Sequence, residues 1–99
     1  MSEVASMSKT HELKLWPQYF QAVKDGLKTF EIRKNDREFT VGDEVVLQEW
    51  NQDLQQYTGR SLVREISYVT GFGQPDGQVV FGLVGKGDLS KLQLLASMR

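Results

Sequence analysis

The chain of 99 residues has no cysteine and only one histidine, His11. The lack of cysteine excludes disulfides, thiolate metal sites and a thiol nucleophile. A single histidine excludes a histidine-rich metal centre, and a Ser–His–Asp triad would have to use His11. We therefore expect no metal and no cofactor.

Long apolar runs and a large net charge are also lacking. No run approaches the roughly 20 residues of a membrane-spanning helix, and the N-terminus lacks the basic and then apolar layout of a signal peptide. The net charge is −1, whereas proteins that hold duplex nucleic acid by their overall charge are usually far more basic. These features predict a soluble, cytoplasmic protein with no membrane partner, and we assume a monomer.

The charges are nevertheless distributed unevenly along the chain. Residues 28–37 contain four basic residues against two acidic ones, namely Lys28, Arg33, Lys34 and Arg37 against Glu31 and Asp36. The rest of the chain is therefore net acidic. We expect any binding site for an anion to lie in this basic segment.

The length predicts a single hydrophobic core. Residues 1–10 are small and polar without any periodicity, which predicts a disordered tail in front of one domain over residues 11–99. A helix from Pro17 to about Asp25 is predicted because apolar side chains recur at helical spacing, at Tyr19, Phe20, Val23 and Leu27. Gly26 suits the left-handed residue that ends such a helix.

Most of the remaining chain alternates with the period of two that is typical of β-strands. The predicted strands include 11–15, 29–33, 44–50, the stretch around Leu62, Ile66 and Tyr68, and a central strand at 79–84. Phe30 and Ile32 are expected to point inward, and Leu62, Ile66 and Tyr68 to share one face. Loops are predicted at 51–59, ending with Gly59, and at 71–77, whereas 88–97 fits either a strand or a short helix. The fold class is α+β and mostly β: a small barrel of five to six strands with one short helix near the N-terminus.

Four segments carry a resemblance to a known family: His11–Pro17 (HELKLWP), Gly26–Arg37 (GLKTFEIRKNDR), Val41–Asp43 (VGD) and Gly71–Gly73 (GFG). They resemble the DUF3850 family of short bacterial and phage proteins, which is related to the ASCH domains of the PUA-like superfamily. The resemblance covers about His11 to Gly85. It implies a PUA-like β-barrel and a superfamily whose members mostly bind RNA or modified nucleotides. Some ASCH members are enzymes that act on N4-acetylcytidine or cleave RNA.

The same resemblance implies where a cleft would lie. The turn with Lys28 and Thr29 faces the cleft of ASCH proteins, so Lys28 is the expected cleft lysine and Arg33 the basic residue at the far end of the strand. Amidohydrolase-type members have a threonine where this chain has Glu31, and a helical insertion that contributes their catalytic acid has no counterpart here. Two of the three catalytic positions of those enzymes are therefore changed or missing.

The chemistry of the candidate residues leaves alternatives open. A charged Lys28 beside Arg33 suits a phosphate or a carbonyl oxygen, but Lys28 also fits a plain surface position after a helix. Glu31 suits the amino edge of a base or a general base on water, and equally an ion pair with Arg33. Trp16 is the candidate for stacking on an unpaired base.

Three further residues complete the candidate site. Lys14 and His11 are expected to border the cleft, although a lone histidine is more often a hydrogen-bonded surface residue. Arg37 would add a guanidinium for phosphate, although a solvated turn fits it better. Trp50 is expected to pack across from Tyr57.

Three functions follow from these residues. The leading hypothesis is a module that holds single-stranded RNA or a modified nucleotide in a cleft formed by Lys28, Glu31 and Arg33. The first alternative is a small hydrolase of ASCH type, with Lys28 and Glu31 as catalytic residues. The second alternative is a phage or bacterial accessory protein that binds another protein.

Overall fold

The computed structural model describes residues 8–98. Its elements, in chain order, are β1 (Thr10–Leu15), α1 (Pro17–Lys24), β2 (Phe30–Lys34), β3 (Glu44–Asn51), β4 (Gln56–Thr70), β5 (Gln78–Gly85) and α2 (Asp88–Ser97). The prediction of a mostly-β α+β fold with five to six strands and an early short helix is confirmed. The segment that fitted either a strand or a helix is α2. Neither helix of the described residues is long and apolar enough to cross a membrane.

The five strands form one curled sheet, a half-barrel, in the order β1-β3-β4-β5-β2. β1 and β3 are parallel, and the other neighbouring strands are antiparallel. The first two strands of the chain therefore lie at opposite edges of the sheet. Register shifts in β3 and β4 mark local irregularities, which increase the bend of a strand.

The curl brings the two edge strands towards each other, and arginine side chains from β2 and from the loop after it reach β1. Arg33 Nη2 donates to the carbonyl oxygen of Lys14 at 2.7 Å, and Arg37 Nη1 donates to that of Glu12 at 2.6 Å. In the part of the chain that the structure describes, β1 and β2 are not neighbours in the sheet. We call the space between these two edge strands the seam.

The core lies inside the curl and is covered by α1. Pro17 begins this helix, where its missing N–H costs no intrahelical hydrogen bond, and Phe20 and Val23 are buried against the sheet. Gly26 follows with a φ of +78°, a left-handed conformation that glycine adopts without strain. The other buried apolar residues come from the strands and from one loop position: Leu13, Leu15, Phe39, Val45, Leu47, Ile66, Val79, Phe81 and Leu83.

The predicted orientation of β2 is wrong. Phe30 and Ile32 are 43% and 50% exposed, whereas Glu31 between them is only 3% exposed. The reason is the pairing with β5, in which Glu31 lies opposite the buried Phe81. Side chains of a strand alternate between its two faces, so a shift of the pairing by one residue moves every side chain to the opposite face. In β2, the pairing with β5 places the less apolar face in the interior.

Two details of β4 also differ from the expectation. A register shift between Ile66 and Tyr68 leaves Tyr68 exposed, whereas Val69 packs against the core together with Leu62. The expected loop over 51–59 is shorter, because β4 begins at Gln56 and includes Gly59. The sequence pattern contains no signal for the shift, and the polar residues from Gln56 to Gly59 favour a loop although they lie in β4.

The expected tail over residues 1–10 lies mostly outside the described residues. Its last three positions are described: Thr10 begins β1, and the backbone N–H of Lys9 donates to Asp43 Oδ1 at 3.1 Å. The chain in front of β1 is therefore attached to the turn that precedes β3.

Candidate functional site

A cleft of about 570 Å³ lies at the seam, between the end of β1, the start of α1 and strand β2. Its lining residues are Lys14, Leu15, Trp16, Tyr19, Lys28, Phe30, Glu31, Ile32 and Arg33. Its volume is in the range of about 300–1,000 Å³ that is usual for small-molecule sites. The cleft is therefore large enough for a small organic ligand.

Three charged side chains meet in this cleft, and we call them the Lys28–Glu31–Arg33 cluster. Lys28 Nζ forms an ion pair with Glu31 Oε2, and Arg33 Nε lies 3.1 Å from Glu31 Oε1. Glu31 is buried, and both cations are partly exposed to the cleft. Burying a carboxylate is unfavourable unless it is paired and hydrogen-bonded, so the two cations allow Glu31 to occupy an interior position of β2.

The local fold explains how Lys28 reaches this position. The backbone N–H groups of Leu27 and Lys28 both donate to the carbonyl oxygen of Ala22, which turns the chain back after α1. The carbonyl oxygen of Thr29 accepts from the backbone N–H of Leu83, just before the pairing of β2 with β5 begins. Successive carbonyl groups of a strand point in opposite directions, so that of Phe30 points away from β5. Lys28 Nζ donates to this carbonyl oxygen at 2.8 Å.

The charge balance of the cleft favours anions. The Lys28–Glu31–Arg33 cluster has two cations for one carboxylate, and Lys14 adds a third cation to the lining. Arg33 also holds a backbone carbonyl of β1, so its guanidinium is fixed between both edges of the seam. A fixed guanidinium next to an ammonium group is well suited to a phosphate or to a polarised carbonyl oxygen.

Two exposed aromatic residues form one side of the cleft, and we call them the cleft aromatic pair. Trp16 and Tyr19 are 47% and 46% exposed, their ring centroids are 6.3 Å apart, and the ring planes are inclined by 23°. Trp16 is the residue in front of Pro17, and Tyr19 follows in the first turn of α1. Large aromatic faces that remain open to solvent beside a cationic site are suitable for stacking on a flat ring.

The structure brings five of the predicted site residues to the cleft lining: Lys14, Trp16, Lys28, Glu31 and Arg33. Thr29 is exposed and does not belong to the lining, although its carbonyl oxygen accepts a hydrogen bond from the backbone N–H of Leu83 in β5. Arg37 also lies outside the lining and joins the strand edges instead. Both residues therefore support the cleft rather than face it.

His11 does not border the cleft, contrary to the expectation. Its side chain is buried, with Nε2 2.8 Å from Asp43 Oδ2 and the ring centroid 4.7 Å from that of Phe39. In β1 the odd-numbered residues point inward, so His11 lies on the face of Leu13 and Leu15. The predicted alternation of this strand is confirmed, but the histidine belongs to its interior side.

Sequence reasoning missed Tyr19 and Asp43. The helical spacing predicts Tyr19 on the apolar face of the helix, but its ring is half exposed and lines the cleft. Asp43 is a buried acceptor for three donors, a role that the sequence pattern does not indicate. Within residues 8–98, no group of three or more histidine, aspartate and glutamate side chains could hold a metal ion.

Comparison with known proteins shows to which family the chain belongs. Residues 10–83 match the model of a domain of unknown function, DUF3850. The chain belongs to the DUF3850 family. The match contains β1 to most of β5 and every residue of the cleft lining, whereas α2 lies beyond it.

One relative is a protein of Escherichia phage P2, described as an uncharacterized 12.9 kDa protein in the GpA 3′ region. It is 44% identical to this DUF3850 protein over 64 residues, which are 65% of this chain. The chain spans 57% of the length of the phage protein. The chain is therefore similar to a phage protein over part of the length of each.

Proposed function

We propose that this DUF3850 protein binds a nucleotide unit, in single-stranded RNA or as a modified nucleotide, in the cleft at the seam. The observation that carries the proposal is the combination of the Lys28–Glu31–Arg33 cluster with the exposed cleft aromatic pair. The resemblance of the chain to ASCH domains of the PUA-like superfamily supports the same ligand class. A nucleotide is an anion that carries a flat ring, and the cleft offers a complement to each part.

Each group has a role in this proposal. Lys28 and Arg33 bind phosphate or carbonyl oxygens, because each lines the cleft and has N–H donors beyond those that bind Glu31 and the backbone carbonyls. A carboxylate has about four acceptor sites, so Glu31 can keep both cations and still accept from the amino edge of a base. Trp16 stacks on the face of that base.

A single-stranded ligand fits better than a duplex. Stacking on Trp16 and hydrogen bonding to Glu31 require a base that is unstacked and unpaired, which is how proteins usually read RNA by sequence. The protein has a net charge of −1 and concentrates its cations locally, whereas duplex binding by phosphate contacts needs an extended basic surface. The size of the cleft is also that of a small ligand.

The test is a titration of single-stranded RNA oligomers and of nucleoside monophosphates against the wild-type protein and Lys28→Met. The loss of a charged hydrogen-bond donor should weaken binding by about tenfold to a hundredfold. Lys24→Met is the matched control, because Lys24 is exposed in the last turn of α1 and does not line the cleft. Lys28→Arg, which keeps the charge, should retain part of the affinity. Circular dichroism spectra establish that each variant is folded.

The outcomes of this titration separate the three functions. Equal affinities of Lys28→Met and Lys24→Met would contradict the proposal, as would the absence of any binding by the wild-type protein. Formation of cytidine from N4-acetylcytidine, or of RNA fragments, by the wild-type protein but not by Lys28→Met would replace it with the hydrolase. Complete lack of nucleotide binding and turnover would leave the protein-binding alternative.

A further inference from the structure

A second pair of aromatic residues lies outside the core, next to the turn of the β3–β4 hairpin, and we call it the hairpin aromatic pair. Trp50 and Tyr57 are partners in the antiparallel register, and their ring centroids are 4.9 Å apart in an edge-to-face arrangement. Tyr57 is 49% exposed, and neither ring belongs to the hydrophobic core. An aromatic surface therefore remains open to solvent here.

Lys14 connects this pair with the cleft. Its Nζ lies 3.8 Å from the centroid of the Trp50 ring and 5.8 Å from that of Tyr57. Lys14 also belongs to the cleft lining, and its carbonyl oxygen accepts from Arg33. In the described part of the chain, Lys14 forms no ion pair, whereas Lys28 and Arg33 are both paired with Glu31. Its ammonium group therefore lies against the Trp50 ring without a carboxylate partner, and it can bind a phosphate there.

We infer that the natural ligand is a single strand of at least two nucleotides, with a second base on the hairpin aromatic pair and the linking phosphate on Lys14. This inference rests on the proposed function, because the first nucleotide occupies the cleft. Alternation of aromatic faces with cations is the arrangement by which proteins follow a single strand. The same alternation is present here: the cleft aromatic pair is followed by Lys14 and then by the hairpin aromatic pair. These residues come from β1, α1, β3 and β4 and from the residue before α1.

A purely structural role gives a different expectation. Cross-strand aromatic pairs stabilise antiparallel hairpins, and a cation above an aromatic ring adds to that stability. If this were the whole role of Trp50 and Tyr57, the length of the ligand would have no influence on affinity. The dependence of affinity on ligand length is therefore the measurement that separates the two roles.

The experiment compares cytidine 5′-monophosphate with oligocytidylates of two to five nucleotides, by isothermal titration calorimetry at constant salt. The wild-type protein should bind the dinucleotide about fivefold to a hundredfold more tightly than the monophosphate. Tyr57→Leu removes the aromatic face but keeps an apolar side chain, and should abolish most of this gain. Tyr57→Phe and Leu54→Ala, the latter at the exposed tip of the same hairpin, should both retain it.

The result distinguishes failure of the inference from failure of the proposed function. If the monophosphate binds and Lys28→Met weakens it, but the dinucleotide has no advantage, the proposed function stands and the second site is refuted. A gain that persists fully in Tyr57→Leu also refutes the second site. If neither ligand binds, the proposed function fails, and the inference fails with it.

Discussion

Glu31 and Asp43 are buried to nearly the same degree, 3% and 2% exposed, but their partners differ. Asp43 accepts from the backbone N–H groups of Lys9 and Thr40, at 3.1 Å each, and from the buried His11. Glu31 pairs with the side chains of Lys28 and Arg33, which are partly exposed in the cleft. The partners of Asp43 are therefore two backbone groups and a buried side chain, whereas those of Glu31 are charged side chains next to solvent.

The contrast shows that burial of a charge does not by itself identify a functional site. Asp43 connects the segment before β1, the turn before β3 and the interior of β1, so its hydrogen bonds hold the fold together. The partners of Glu31 can be contacted by a ligand without leaving the carboxylate. The exposure of the partners, rather than that of the acid, marks the Lys28–Glu31–Arg33 cluster as the candidate site.

The largest change in the free energy of unfolding is expected for Asp43→Ala. Removal of this carboxylate leaves His11 and two backbone donors without their acceptor in the interior, which should cost about 3–5 kcal/mol. Denaturation in urea measures the loss. Asp43→Asn keeps one acceptor and should lose less, so it provides a folded variant if the alanine form does not fold. An Asp43→Ala variant as stable as the wild type would contradict the structural role of Asp43.

A smaller change is expected for Glu31→Gln. Lys28 and Arg33 remain accessible to water after the charge is lost, so the free energy of unfolding should fall by only about 1–2 kcal/mol. Glu12→Gln is the matched control on the exposed side of β1 and should stay within about 0.5 kcal/mol of the wild type. The same urea titration serves both variants. A loss equal to that of Asp43→Ala would show that the two acids have equivalent structural roles.

The smallest change in stability is expected for Trp16→Ala, within about 0.5 kcal/mol, because the ring is half exposed and lies outside the core. Its affinity for single-stranded RNA should nevertheless fall by about fivefold to a hundredfold, since a stacking surface is lost. Phe72→Ala, at a highly exposed aromatic residue in the loop before β5, should change neither quantity. Unaltered RNA affinity of Trp16→Ala would exclude this ring from the site.

Much of the fold was predictable from local patterns. The early helix, the strands and the contact between Trp50 and Tyr57 all agree with the sequence analysis. These features depend on short-range periodicity and on turn residues such as Gly26, which act within a few positions. The proximity of Lys28, Glu31 and Arg33 was also predictable, because they lie within six residues of one another, in β2 and in the turn before it.

The predictions that the structure contradicts concern features that depend on residues far apart in the sequence. The register of β2 against β5 decides that Glu31, and not Phe30 or Ile32, faces the interior. The shift in β4 that turns Tyr68 outward depends in the same way on its pairing with β5. No local pattern reports such pairing, since it joins residues far apart in the chain.

The amino-acid sequence by itself determined the early helix, the approximate positions of most strands, and the clustering of basic residues between residues 28 and 37, because these are properties of neighbouring residues. Only the tertiary structure decided which side of each strand is buried. It also decided that His11 belongs to Asp43 rather than to the cleft, and that Tyr19 lines it. The physical reason is that a strand pattern is compatible with either face, and strand pairing across the curled sheet selects one of them.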